Sequence, residues 1–220
     1  MISDTTNNSY SANPRLAEAM ERLPLVAILR GIKPLETVAI GRVLAERGFT
    51  MIEVPLNSPE PFVSIKLLRN ALPADVLIGA GTVTDADDVA HVRAAGGELI
   101  VMPHADVTVI AAAKAVGMIA VPGIATPTEA FAALKAGADA LKLFPAELIA
   151  PPVLKAMLAV LPKGVATLPV GGITTQTMRP YIEAGAKGFG LGSALYKPGM
   201  SATDVGARAD AFVTAWKAMD

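Results

Sequence analysis

Read from the amino end, the chain alternates short apolar runs with longer segments in which apolar residues return at helical spacing. The runs LVAIL, MIEV, VLIGA, LIVM, MIAV, ALKLF, ATLPV and GFGLG start at Leu25, Met51, Val76, Leu99, Met118, Ala140, Ala166 and Gly188. Each is too short for a helix and is closed by Gly, Pro, Asn or Thr, which is the signature of a buried strand. Between and after them lie eight Ala- and Leu-rich segments, predicted as helices over residues 36–47, 61–71, 86–95, 107–116, 128–136, 152–161, 175–184 and 203–219. Gly48, Gly96, Gly117, Gly137 and Gly185 follow helix ends, where the left-handed conformation suits glycine.

Strand and helix alternating at a spacing of about 22–25 residues predict parallel strands hidden on both faces. The expected fold class is therefore α/β, a (β/α)8 TIM barrel spanning residues 23–220, with residues 1–22 as a short N-terminal arm or a helix plugging the barrel bottom. A doubly wound open sheet shares this local grammar, but eight even units favour closure. A solenoid is disfavoured because the units share rhythm and no repeat consensus.

Composition narrows the chemistry. Of 220 residues 52% are apolar and 18% charged, and 19 Lys+Arg against 20 Asp+Glu leave a formal net charge of -1. Near neutrality gives no reason to expect nucleic acid as a partner, since that affinity rests on many cations. With no cysteine there is no disulfide, no thiolate nucleophile and no Cys-based zinc site, and two histidines exclude a three-His site. No metal and no cofactor is expected. The start, MISDTTNNSYSANPRL, lacks the apolar segment of a signal peptide, so the protein is expected in the cytoplasm. Mean hydropathy is positive, yet His104, Asp106, Lys114 and Pro122-Gly123 interrupt the most apolar stretch, so no membrane span is expected.

In a parallel barrel the chemistry gathers at the C-terminal ends of the strands, and the unusual residues fall there. Lys142 sits in ALKLFPA, where period-two alternation sends it to the face opposite Leu141 and Leu143. Pointing inward it would be desolvated, its pKa depressed and its neutral amine able to form a Schiff base with a ketone. Glu53, in MIEV, follows the same alternation, and a carboxylate beside such a lysine can move protons. A buried ion pair holding the barrel together is the plainer alternative. Gly171-Gly172 and Gly192-Ser193 close adjacent strands and would let backbone amides reach a phosphate, though either pair alone would be only a turn. Arg30 could grip a carboxylate or form a surface ion pair. Thr82 could donate to the same group or cap the helix near Asp85. Asn57 could touch substrate or open the next helix. His104 and His91 read as a loop hydrogen-bonder and a structural residue, and Tyr181, Tyr196 and Trp216 as packing or interface residues.

With these residues assembled, the chain resembles the 2-keto-3-deoxy-6-phosphogluconate and 6-phosphogalactonate aldolases. The anchors are AILRG (27–31), IEVPLNSP (52–59), GAGTV (79–83), KLFPAE (142–147), VGGIT (170–174) and GLGSALY (190–196), in order from about residue 23 onward. The resemblance implies a metal-free class I aldolase on a TIM barrel, expected as a homotrimer. It implies Lys142 as the Schiff-base lysine, Glu53 as acid and base, and Arg30 and Thr82 near the pyruvate carboxylate. Phe144 would pack beside the lysine, with Gly171, Gly172, Gly192 and Ser193 near the phosphate.

The gluconate-type enzymes tend to carry Arg and Thr after the second strand and Thr before the paired glycines; Asn57, Ser58 and Val170 here look like the galactonate type. His104 stands where that type more often has Asn. The implied partners are a phosphorylated 2-keto-3-deoxy sugar acid, pyruvate and glyceraldehyde 3-phosphate. Two other readings stay open: a phosphate-binding barrel epimerase or synthase, with the gluconate epimer as a variant of the aldolase reading, and a non-catalytic sugar-phosphate binding protein.

Overall fold

The computed structural model describes residues 13–219; the part of the expected arm that falls on residues 1–12 lies outside them. The first element is helix α1 (Pro14–Arg22), so the helical alternative for this region is the one observed. Asn13 caps it by accepting a bond from the Arg15 amide, and Pro14 fits its first turn, where an N–H would go unused. Only Leu16 and Ala19 of α1 are buried, and they pack on the inward residues of the strands, including Val26, Met51 and Leu99.

Strands β1 (Leu25–Ile28), β2 (Met51–Pro55), β3 (Leu77–Gly81), β4 (Leu99–Val101) and β5 (Ile119–Val121) pair in parallel with β9 (Phe189–Leu191) in the order β5-β4-β3-β2-β1-β9. Strands β6 (Gly123–Ile124), β7 (Leu141–Leu143) and β8 (Thr167–Pro169) make a second, three-stranded parallel sheet in chain order. The fold is thus α/β, built on a curled six-stranded parallel sheet and a smaller one, rather than one continuous eight-stranded sheet.

The difference from the expected barrel arises at the fifth apolar run, which is two strands instead of one. Pro122 divides them because it has no N–H to give to a ladder. Gly123 then passes so close to the backbone of Pro103 and His104 that a Cβ would meet the Pro103 carbonyl at 2.5 Å. Across the other border Val170 and Gly190 form an isolated parallel bridge.

Helices α2 (Pro34–Glu46), α3 (Pro61–Ala71), α4 (Asp87–Ala94), α5 (Val107–Ala115), α6 (Pro127–Lys135), α7 (Pro151–Leu158), α8 (Met178–Glu183) and α9 (Ala202–Lys217) follow the strands. Their starts obey capping chemistry: Asp106 accepts from Thr108 and Val109 on α5, Thr126 and Glu129 form a reciprocal box on α6, and Ser201 accepts from Asp204 on α9. The five glycines expected past helix ends all have positive φ, from 72° at Gly117 to 109° at Gly185.

Strand alternation sorts the core in two. Leu25, Ala27, Ile52, Val54, Ile78 and Ala80 face the helices, while Val26, Met51, Leu77, Leu99, Ile119 and Leu168 face inward with Leu16. Sealing Leu16, 1% exposed, is worth about 1.5–3 kcal/mol relative to leaving it in water. Polar bonds fasten the same end: Thr50 donates to the Ala19 carbonyl at 2.8 Å, and Glu98 meets Arg15 at 3.3 Å and Arg69 at 3.4 Å. Lys114 binds both oxygens of the buried Asp139, which also accepts from the Ala120 amide.

Candidate active site

The alternation that hides Leu16 at one end sets charged groups at the other. On β2 the inward positions run Met51, Glu53, and on β7 they run Ala140, Lys142, so both charged residues rise above the apolar layer. Glu53 is 1% and Lys142 4% exposed. They share a small internal cavity of about 20 Å³ with Ile28, Val170 and Gly190, with Leu16 and Met51 beneath, and that is room for about one water molecule.

Neither charge is comfortable there. Burial lowers the pKa of the Lys142 ammonium, which Arg30 reinforces and the Glu53 carboxylate opposes. Burial raises the pKa of Glu53, with Lys142 and Arg30 pulling the other way. Among the described residues Oε2 of Glu53 has no hydrogen-bond partner, which for a buried carboxyl oxygen marks a site built for something other than stability. Gly81 closes over it: a Cβ there would lie 2.6 Å from the Glu53 carboxyl carbon, so only glycine leaves the carboxylate its place. The Lys142 ammonium lies 4.4 Å from the centre of the Phe144 ring, close enough for cation–π attraction while it is charged.

Arg30 follows β1 and is held by two side chains. Its Nη1 donates to Asn57 Oδ1 at 2.9 Å and its Nη2 to Thr82 Oγ1 at 3.3 Å. Among the described residues it has no ion pair, so the alternative of a salt bridge is not what is seen within the chain. Asn57 and Thr82 therefore orient the guanidinium. Thr82 has φ of 55°, a conformation that is strained for a β-branched residue and that clusters at functional sites. The helix cap considered for Thr82 is absent: Asp85 accepts from the Asp87 amide instead. Ser58, for which no bond was anticipated, accepts from the Gly31 amide at 2.9 Å and fixes the turn after Arg30.

Beside the buried pair opens a cleft of about 370 Å³, a size suited to a small ligand. Ile28, Arg30, Phe144, Val170, Gly171, Gly172, Gly192 and Ser193 line it, so the glycine pairs of two adjacent strands do meet. Two charged residues in it were missed from sequence, Glu147 and Lys197. Both belong to segments whose neighbours were singled out, and nothing in their local pattern distinguishes them from ordinary surface charges.

His104 is outside this lining and stands 3.9 Å from Asp106, the residue that caps α5. His91 is exposed, with its ring 5.6 Å from that of Phe62. Tyr181 and Tyr196 are buried and donate to the Ala146 carbonyl and Glu36, and Trp216 meets Phe189 edge-on.

The sequence of residues 16–209 matches the family described as KDPG and KHG aldolase. The chain belongs to that family. It is 48% identical to a probable 2-dehydro-3-deoxy-6-phosphogalactonate aldolase of Rhizobium meliloti (strain 1021) over 91% of this chain and 94% of the relative. It is 45% identical to 2-dehydro-3-deoxy-6-phosphogalactonate aldolase of Escherichia coli (strain K12), over 89% of this chain and 96% of the relative. A solved structure described as native KDPGal superposes with a TM-score of 0.88 at 44% identity, covering 90% of this chain and 96% of that one. Within the KDPG and KHG aldolase family, then, the buried Lys142 and Glu53 lie next to a cleft lined by Gly171, Gly172, Gly192 and Ser193.

Proposed function

We propose that this chain is a class I aldolase that reversibly cleaves 2-dehydro-3-deoxy-6-phosphogalactonate to pyruvate and D-glyceraldehyde 3-phosphate. The observation that carries the reading is the Lys142–Glu53 pair, a lysine whose ammonium is disfavoured by burial beside a carboxyl with an unpartnered oxygen. Burial shifts both groups toward their neutral forms, which raises the share of Lys142 present as the nucleophilic amine and of Glu53 present as the acid.

The amine adds to the C2 ketone, and the Glu53 carboxyl gives a proton to the carbinolamine hydroxyl, which departs as water and leaves an iminium. With that positive charge fixed on the lysine nitrogen, Glu53 becomes the stable place for a negative charge. The carboxylate takes the C4 hydroxyl proton, directly or through the one water the cavity can hold. The C3–C4 electron pair moves toward the iminium, and glyceraldehyde 3-phosphate departs. The enamine left behind is protonated at C3, and hydrolysis frees pyruvate and regenerates the amine.

Arg30, fixed by Asn57 and Thr82, is placed to bind the C1 carboxylate in two parallel bonds. Phe144 shields the nucleophile, and Gly171, Gly172, Gly192 and Ser193 receive the phosphate. Val170, 8% exposed, offers no hydroxyl toward C4, which favours the galactonate epimer over the gluconate one.

Three coarser features complete the proposal. The bridge between Val170 and Gly190 supports closure of the two sheets into an eight-stranded TIM barrel. Exposed Phe131 on α6, Leu148 in the loop before α7 and Val153 on α7 support a homotrimer that covers them. The cytoplasm is the setting, since a phosphorylated sugar acid does not cross a bilayer unaided.

Borohydride added with pyruvate should reduce the iminium and leave the adduct on the peptide containing Lys142, read by mass analysis. An unmodified lysine would reject the mechanism. Comparing kcat/KM for the two C4 epimers tests the substrate, and a preference for the gluconate form would overturn the reading of Val170.

A further inference from the structure

Two cations near the phosphate end take no part in the chemistry above. Lys197 lines the cleft together with Ser193, Ala194 and Thr174, and among the described residues its ammonium has no hydrogen-bond or ion-pair partner. Arg208, from α9, approaches the same loop from behind and donates through Nη1 to the carbonyls of Ser193, at 3.2 Å, and Ala194, at 3.4 Å.

The loop itself is a single helical turn. Leu195 and Tyr196 donate to the Gly192 carbonyl at 2.8 and 3.0 Å, while the amides of Ser193 and Ala194 have no acceptor among the described residues. The Ser193 carbonyl and the Ala194 amide belong to one planar trans peptide, so they point in opposite directions. A guanidinium gripping the carbonyl from behind therefore turns the amide away from α9, and Ala194 lines the cleft on that other side. The cleft also holds an opposing charge. The Glu147 carboxylate lies against Gly171 and Gly172, so close that a side chain at either glycine would collide with it. A phosphate arriving beside that carboxylate needs more than neutral amides to offset the repulsion.

We propose that Lys197 binds the phosphoryl group of the substrate directly, and that Arg208 is a positioning residue that aims the Ala194 amide at it. Together they make the enzyme selective for phosphorylated over unphosphorylated sugar acids. The inference rests on the aldolase reading for the identity of the substrate, but the anion site can be tested without catalysis.

The probe is glycerol 3-phosphate, which carries the phosphate monoester and has no carbonyl to react. Its Kd is measured by calorimetry on the full chain, with glycerol as the control. Lys197→Met should raise Kd by about tenfold or more and flatten its dependence on salt, as expected for loss of a charge-assisted contact. Arg208→Gln should raise it by roughly three- to tenfold. Lys197→Arg and Arg208→Lys should each recover much of the loss, a rescue that a general packing defect would not show. Kd values within twofold of the wild type in both Lys197→Met and Arg208→Gln, or no binding of the probe by the wild type, would overturn the proposal. Pyruvate trapping on Lys142 is read separately: its failure removes the aldolase reading and leaves the binding series to decide the anion site.

Discussion

The two ends of the strands are built on opposite terms. At the N-terminal end the inward residues are apolar, Leu16 seals them, and Thr50 bonds the Ala19 carbonyl, Glu98 meets Arg15 and Arg69, and Asp139 meets Lys114, leaving the Thr167 hydroxyl as the one buried side-chain group there without a partner among the described residues. At the C-terminal end stand a desolvated lysine, a strained Thr82 and, without partners among the described residues, a carboxyl oxygen of Glu53 and the amides of Ser193 and Ala194. The strands supply one scaffold, and the difference lies in whether the last inward layer is satisfied within the chain. Stability is concentrated at one end, and reactivity at the end where satisfaction is withheld.

Substitutions at the two ends should therefore separate rate from stability. The largest effect belongs to Glu53→Gln, which keeps the shape and removes the base: kcat should fall by about a hundredfold or more. The fold should not suffer. Because burial raises the folded-state pKa of Glu53, the wild type binds this proton more tightly when folded. That contribution to stability is present below the ordinary value of 4.5 and is lost as pH rises through the elevated folded-state value. Tm of the wild type should thus decline relative to Glu53→Gln across that interval. A parallel pH profile for the two proteins would show that the carboxyl is not the strained group described here.

Next comes Leu16→Ala, which opens a hole in the seal and should lower unfolding free energy by about 2–5 kcal/mol. Denaturant titration would measure it, and kcat at a temperature where the variant remains folded should stay near the wild-type value. A large loss of kcat in the folded variant would mean that the two ends are coupled through the inner layer. The smallest effect is expected of Glu98→Gln. Its pairs with Arg15 and Arg69 are partly open to water, so about 1 kcal/mol or less should be lost. A larger loss would mark this ion cluster as the fastening of α1.

The regular part of this architecture is open to reading from sequence because it repeats. Apolar runs of fixed length and glycines past helix ends are local signals, and alternation alone sends Lys142 and Glu53 to the inner face. What escapes is relational. Nothing around Pro122 says that its missing N–H divides a strand between two sheets, since a proline at a strand end reads the same way. That Asn57 and Thr82, from two different strand ends, both accept bonds from Arg30 is likewise invisible along the chain. Lys197, Arg208 and Glu147 are ordinary charges in the sequence, and they acquire meaning only when two loops meet around one cleft with α9 behind one of them.

The division at Pro122 also bears on redesign. The proline carbonyl accepts the bond from the Lys142 amide at 2.9 Å, so the residue that parts the sheets also sets the height of the neighbouring strand. A protein engineer replacing this proline would keep that carbonyl bond and add the missing N–H, so position 122 is where the two sheets could be knitted together without touching any residue that lines the cleft.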